Sequence, residues 1–378
     1  MMRPLPDQSL GSEWTILELL ARGIVDDSER QLVRDLLVSD TINWGEVLEQ
    51  ALRHKMLPML AHHVISEGLR FDVPMSIYQH LESALEWNRC QIEVFRRETV
   101  RVAQGLAGRA IPFVVTKGMA FESTLYDTRG TRYMNDIDFM IAPRDREAVM
   151  SVMQELGFRP FFGWAKDPRR EEISSHLNRD HLPKLMRALD QPGTRTIHID
   201  IANSLTWTKS PFDVPVEEAL RNPVVQPVPG LPGVGLPCFR PIYQFLFTVL
   251  HLFREAWLQK FVDFENDVGL MKFGDVIRLI DQNRNALADA ELGQTMEANN
   301  VTEAVAWVLR HTDETFHTCT LEQLALEEHG EEELLASQMQ SSGYVAAWGQ
   351  SMRERLQSKA RSDSVRPVAP AHLGSRDE

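Results

Sequence analysis

A chain of 378 residues with 43% hydrophobic and 25% charged side chains has the make-up of an ordinary globular protein, with room for one large core or two to three smaller units. Its formal net charge of −14 argues against a broad grip on nucleic acid, which needs Lys and Arg clustered along the phosphate track. No run of 18 or more uncharged apolar residues occurs, so no membrane-spanning helix is expected.

The opening residues Met1–Asp7 lack the apolar stretch of a signal peptide. Cys90, Cys238 and Cys319 are far apart and odd in number, so they form neither a disulfide framework nor a zinc cluster. The cysteine usage fits a reducing cytosol, so a cytoplasmic protein is expected.

Taken in chain order, residues 1–106 are predicted to be a helical domain. Ser12 can cap a segment reaching Leu20, and Asp40 or Asn43 precedes a second that starts at Trp44. Leu57, Leu60, His63 and Val64 then fall at helical spacing, and a long helix runs from about Ser76 to Leu106. Residues 107–210 read as an α/β core. Ile111–Val115 is a strand, Lys117-Gly118 ends it, and Met119–Tyr126 makes a short helix. After the polar turn Asp127–Arg132, Asp136–Ile141 is the next strand, followed by a helix opened by Pro143 and closed at Gly157. Pro160 confines Phe158–Phe162 to a sheet edge. Leu182–Leu189 and Thr194–Ile201 bracket the turn Asp190-Gln191-Pro192-Gly193 and form a hairpin. Residues 211–240, rich in Pro, Val and Gly, read as an extended connector, and residues 241–361 as a second helical domain. The acidic run Glu327–Glu333 is expected on a solvated helix face, and residues 362–378 are expected to be a disordered tail.

Asp136-Ile137-Asp138 carries the chemistry. On a strand, side chains at i and i+2 share one face, roughly 6.5–7 Å apart. Two like charges side by side raise each other's pKa, a penalty that a divalent cation with hard oxygen ligands removes. Asp200 lies on the strand Thr196–Ile201, with His198 on the same face. If that strand pairs beside the first, three carboxylates converge, enough to share two Mg²⁺ ions as phosphoryl-transfer sites do. Upstream, Lys117-Gly118 stands between a strand and a helix, where backbone N–H groups and a lysine suit phosphate.

At these residues the chain resembles the largely uncharacterised bacterial nucleotidyltransferases of the DNA polymerase β superfamily. The resemblance rests on Lys117-Gly118, Gly130-Thr131-Arg132, Asp136-Ile137-Asp138 and Asp200, and extends to Asn43–Leu60 and Phe247–Asp275. It departs from the wider superfamily in having Lys-Gly for Gly-Ser and a longer gap before the first Asp. His198 also precedes Asp200 instead of following it. The resemblance implies an α+β fold, with a polymerase-β-like mixed sheet flanked by N- and C-terminal helical domains. It implies transfer of a nucleotidyl group from an NTP, with ATP favoured, to an acceptor hydroxyl. A small molecule or natural-product intermediate is the favoured acceptor. Two Mg²⁺ ions, with Mn²⁺ as a substitute, would be held by Asp136, Asp138 and Asp200; Lys117, Gly118 and Arg132 would meet the phosphates.

Competing readings stand beside these. Arg132 is either a phosphate contact or a structural partner for the carboxylates. His198 either touches the site or is a hydrogen-bonded structural histidine, the latter favoured. His176 and His181 read as a polar loop and not a zinc site, Trp207 as core packing before base stacking, and Glu122 and Asp127 as facing solvent. For the whole chain, the rivals are protein nucleotidylation, an inactive nucleotide-binding module, or a glycosyltransferase using Asp-x-Asp. The last would need an α/β region of roughly 100 residues before the motif, where this chain is helical.

Overall fold

The computed structural model describes residues 11–161, 180–189, 194–207, 210, 212–330, 337–339, 345–348, 350–358 and 365–366. The apolar periodicity of the first hundred residues becomes α1 (Ser12–Arg22), α2 (Asp27–Leu37), α3 (Trp44–Arg53), α4 (Leu57–Ser66) and α5 (Met75–Ala107). Side chains fix two of the starts. Asp26 accepts the Glu29 amide at α2, and Asn43, not Asp40, accepts the Glu46 amide at α3. Each satisfies a donor that a helix start leaves free. Ser12 does not cap α1; it is the first helical residue, behind an uncapped Gly11. Burial of Trp14, Ile16, Leu17, Leu19 and Leu20 holds that helix instead.

Seven strands form one mixed sheet. They are β1 (Phe113–Thr116), β2 (Ile137–Ile141), β3 (Arg159–Pro160), β4 (Leu185–Ala188), β5 (Thr196–Ala202), β6 (Val224–Pro227) and β7 (Gly235–Cys238). Their spatial order is β3-β4-β5-β2-β1-β7-β6. Helix α6 (Lys117–Thr124) follows β1 without a loop, and α7 (Arg146–Glu155) follows β2. Pro160 sits in the edge strand β3, where a missing N–H breaks no second ladder. The expected hairpin is present as β4 paired antiparallel with β5, its turn at 190–193 lying outside the described residues. Residues 211–240 are more than a connector: β6 and β7 extend the sheet, with β7 parallel to β1. The period-2 reading missed them because each has only four residues, with Pro227 ending β6 and Pro237 inside β7.

Four longer helices follow: α8 (Pro241–Trp257), α9 (Leu270–Gln282), α10 (Ala290–Ala298) and α11 (Thr302–Phe316). Glu327 and Glu328 lie in an exposed turn and not on a helix, and 331–333 fall outside the described residues. A small antiparallel sheet of Ser337–Met339, Val345–Trp348 and Val365–Arg366 ends the description. Among the described residues no helix is long and apolar enough to cross a membrane.

Strand alternation sorts the sheet's two faces. Ile137, Phe139 and Ile141 of β2 with Ile197, Ile199 and Ile201 of β5 pack under α5 and α7, against Ile92, Phe95, Val102, Val149 and Val152. The opposite face meets a second core to which the N- and C-terminal helices both contribute, Ile16 and Leu20 beside Phe273 and Ile277. The two helical segments therefore share one core. A Cβ added to Gly274 would lie 2.4 Å from the Ala21 carbonyl oxygen, which shows how closely α9 crosses α1.

Glu122 overturns its expected exposure. It is 1% exposed, and its Oε1 accepts the Gly130 N–H at 2.8 Å. Gly130 has φ +73°, a left-handed turn that favours glycine. Asn88 Nδ2 donates to its carbonyl at 2.8 Å and to that of Arg132 at 3.2 Å. The turn leading into β2 is thus bolted from two sides. Asp127 is exposed, as expected. Burial pushes the Glu122 carboxyl up to about 7. A raised carboxyl pKa favours the folded state at low pH, and that advantage is lost as pH rises from the unfolded value through about 7. The full swing is about 3 kcal/mol. Glu122→Gln, which keeps the acceptor, should remove it. In urea titrations, the stability difference between variant and wild type should move in the variant's favour by up to about 3 kcal/mol from pH 4.5 to 8. A difference that stays constant with pH would show that Glu122 does not titrate on unfolding.

Candidate active site

The register of β2 with β5 builds the site. The two strands run parallel with Asp138 and Asp200 as direct partners, so both carboxylates project from one face. Thr116 is the partner of Asp138 on β1, and Lys117 follows it at the start of α6. Asp136 immediately precedes β2, on the side of the pleat that Asp138 uses. Lys184 immediately precedes β4, where the ladder that pairs Leu185 with Ile199 carries on toward Asp200. Lys117 Nζ lies 3.1 Å from Asp138 Oδ1, and Lys184 Nζ 2.8 Å from Asp136 Oδ2.

Helix α8 roofs this face. Phe247, His251 and Glu255 recur every four residues and so share one side of it. The Phe247 ring lies under Lys117 Nζ, 5.2 Å from its centroid. His251 Nε2 and Lys272 Nζ reach Glu255 Oε2 at 3.3 and 2.9 Å. At the other rim, His181 Nε2 stands 4.0 Å from Asp200 Oδ2, while Arg254 Nη2 holds Asp180 at 3.4 Å.

The charges in this space push one another. Burial, abetted by Asp136 and Asp200 and opposed by Lys117, raises the Asp138 carboxyl to about 7. For Asp200 the balance reverses: burial would raise it, but His181, Lys117 and Lys184 together hold it below the ordinary range. Lys117 and Lys184 titrate above the usual lysine value, because the surrounding carboxylates outweigh the burial that would lower them. Burial lowers His251 to about 4 and also lowers His181, so both rings are neutral near pH 7. Glu255 falls below the usual range, its burial outweighed by His251 and Lys272. Among the described residues no three His, Cys, Asp or Glu side chains converge tightly enough to enclose a metal ion. Two of the acids are instead engaged by lysines.

Residues 40–317 match the model of a family described as an uncharacterised nucleotidyltransferase. The chain belongs to this nucleotidyltransferase family. No curated protein matches it.

Within this nucleotidyltransferase, the residues singled out by sequence separate into two groups. Asp136, Asp138, Asp200 and Lys117 are gathered at one place. Gly118 is adjacent, and an added Cβ would lie 2.5 Å from Met134 Sδ, so a larger residue there would have to displace that side chain. Arg132 is elsewhere engaged. Its guanidinium is buried against Asp275 of α9, with Nη2 at 2.8 Å and Nε at 3.2 and 3.3 Å from the two carboxylate oxygens. Tyr126 donates to the same carboxylate at 2.6 Å. Of the two readings of Arg132 the structural one fits, although its partner is Asp275 and not a site carboxylate. His198 packs edge-on against Phe161, and Trp207 packs against Phe212 and Phe253. His176 lies outside the described residues, whereas His181 reaches the site's rim.

Lys184, Glu255 and Lys272 are not singled out by the sequence; His181 reads as part of a polar loop, and His251 enters only within Phe247–Asp275, as part of the resemblance. A signal existed for some of them. A hairpin turning about Pro192 sets Lys184 opposite Asp200, and three charged or ionisable residues within the apolar helix 241–257 mark a face that meets something polar. The Arg132–Asp275 pair makes its own prediction. Arg132→Met leaves a buried carboxylate without its cation and should cost about 3–5 kcal/mol in denaturant unfolding, whereas adding Asp275→Asn should recover part of that loss. A loss under about 1 kcal/mol would mean that water already reaches Asp275.

Proposed function

We propose that the chain is a Mg²⁺-dependent nucleotidyltransferase with a polymerase-β-like catalytic sheet, working in the cytoplasm. It transfers the nucleotidyl group of an NTP, ATP favoured, to a hydroxyl of a small molecule or natural-product intermediate. The observation that carries the reading is the in-register pairing of Asp138 with Asp200, with Asp136 two residues before. The donor set suits the ion: hard carboxylate oxygens projecting from one face of the paired strands. Asp136 and Asp138 would hold both ions, and Asp200 the one on the acceptor side. When bound, the ions supply charge neutralisation and a lowered pKa for the attacking hydroxyl.

The chain's own residues do the remainder. Asp200, kept ionised at neutral pH by the cations around it, would take the proton of the acceptor hydroxyl. As the acceptor oxygen bonds to the α-phosphorus, the bond from that phosphorus to the bridging oxygen breaks and pyrophosphate leaves. Lys117, at the mouth of α6 with the backbone of Gly118 beside it, meets the β- and γ-phosphates; Lys184 is the second cation within reach. Such catalysis is mainly positioning and electrostatics.

One observation favours a second reading, a nucleotide-binding module without turnover: Lys117 and Lys184 already neutralise two of the acids. A single experiment separates the two. Each α-labelled NTP is incubated with Mg²⁺, the protein and a cell extract, and the label is followed. Label in a small-molecule fraction is expected, and label on a macromolecule would identify a protein acceptor instead. Asp136→Asn with Asp138→Asn should cut transfer at least about a thousandfold while leaving the thermal transition in place. Undiminished transfer in that double variant would sink the mechanism. NTP binding with no labelled product from any extract would establish the module.

A further inference from the structure

Asp200 differs from the other two acids of the row. Lys117 stands on Asp138 and Lys184 on Asp136, but among the described residues no lysine pairs with Asp200. Its neighbour at pairing distance is an imidazole: His181 Nε2 lies 4.0 Å from Asp200 Oδ2. On the other side of the same ring, Nδ1 lies 3.9 Å from Asp180 Oδ2, a carboxylate that is buried and already held by Arg254.

The backbone fixes that ring on the face of the acid row. His181 forms an isolated antiparallel bridge with Ala202 of β5. The Leu182 amide donates to the Ile201 carbonyl and the Asn203 amide to the Asp180 carbonyl, each at 2.8 Å, so His181 is held on both sides. Directly opposed residues share a face, and Ala202 lies two residues beyond Asp200 on its strand, so all three side chains project the same way. The width of the gap between ring and acid decides what can fill it. A neutral imidazole owns one N–H, so whichever nitrogen carries it, the lone pair of the other faces a carboxylate. A shared proton would need the two atoms within about 3.2 Å. Two donors each about 2.1 Å from one octahedral ion stand about 3.0 Å apart when adjacent and about 4.2 Å apart when opposite. The 4.0 Å separation is too wide for a hydrogen bond and wide enough for a metal ion.

We propose that His181 is a ligand of the acceptor-side ion together with Asp200, and that its nitrogen makes this position select Mn²⁺ over Mg²⁺. The inference rests on the nucleotidyltransferase reading and deepens it. Two protein donors suffice there, because ions in phosphoryl-transfer sites fill their shells with water and substrate oxygens. Mg²⁺ binds through oxygen and demands near-ideal octahedral geometry, whereas a transition ion such as Mn²⁺ gains more from a nitrogen donor. The position between Asp136 and Asp138 has carboxylate donors only and stays a Mg²⁺ position. Asp180 completes the arrangement. A carboxylate behind the second ring nitrogen is the usual means of fixing the tautomer that leaves the first nitrogen free to ligate. His198 and His251 are otherwise engaged, the one edge-on to Phe161 and the other on Glu255.

Mn²⁺ bound to the full-length protein, alone and with pyrophosphate, reports its own ligands by pulsed electron paramagnetic resonance. Wild type should show coupling to an imidazole nitrogen. His181→Gln and His181→Asn should lose that coupling while keeping the thermal transition of wild type. In competition titrations the same variants should bind Mn²⁺ at least about tenfold more weakly and Mg²⁺ within about threefold of wild type. Mn²⁺-loaded wild type without nitrogen coupling would overturn the assignment, whatever the variants do, and so would coupling that persists in them. A Mn²⁺-over-Mg²⁺ preference that the variants retain would overturn the selectivity. Wild-type protein that binds Mn²⁺ neither alone nor with pyrophosphate would overturn the transferase reading itself, and the role of His181 with it.

Discussion

Asp138 and Asp200 stand opposite each other on adjacent parallel strands, and everything around them acts to make that pairing tolerable. Strands lie roughly 4.8 Å apart. Two carboxylates at about 5 Å repel by about 3 kcal/mol at an effective dielectric constant of about 20. A favourable cross-strand pair is worth only about 0.2–1 kcal/mol, so no gain in sheet stability offsets this arrangement. The neighbouring positions respond accordingly. Lys117 and Lys184 approach the acid row from the two strands that flank it, and Asp138 retains a raised pKa in spite of them. A protein of net charge −14 has concentrated lysines where its sheet is most acidic. That cost is the physical argument for function: the geometry is expensive without a cation and useful with one.

The remaining architecture keeps the acid row in place. One face of the sheet is a dry layer of isoleucine and phenylalanine under α5 and α7, so β2 and β5 cannot slip by one residue without burying the acids there. The turn entering β2 is fixed by Glu122 and Asn88, and its far end by the Arg132–Asp275 pair. The last of these also couples the sheet to α9. Because α9 packs against α1, and His54 at the end of α3 bonds to the start of α9, the N-terminal helices are indexed to the same frame. Helices far apart in sequence thus meet in one frame, which positions Lys272, Glu255 and the acids together.

Much of this was legible before any coordinates. Local pattern decides the long helix 75–107, the hairpin 185–202 and the Asp-x-Asp strand, and all three are where periodicity and turn chemistry put them. What local pattern cannot decide is which strands become neighbours. The parallel pairing of β2 with β5 spans some sixty residues, and it was inferable only as a condition for three acids to meet. Strands β6 and β7 were lost to their prolines, and Glu122 to the ordinary assumption that a glutamate on a short helix is exposed. Its burial depends on the Gly130 amide, a partner that periodicity does not reveal. Lys272 belongs to the same class. It sits on a helical segment whose apolar pattern is clear, and tertiary packing alone brings it to Glu255.

The division between arginine and lysine around the site follows from side-chain chemistry. Arg132 is locked on Asp275, Arg254 on Asp180 and Arg355 on Asp267, each largely buried. A planar guanidinium with fixed donors suits such permanent pairs, since its forked geometry is matched once and need not change. Lys117 and Lys184, which meet the acid row directly, are ammonium groups on flexible four-carbon stems. A lysine can trade one anion for another by rotating that stem, at little cost in oriented hydrogen bonds. Under the proposed reaction the two would neutralise aspartates in the free enzyme and turn to phosphate oxygens once divalent ions take over the acids. The same two residues would then spare the empty site its repulsion and give the loaded site its grip on pyrophosphate. An arginine in either place would hold the aspartate too well to let it go.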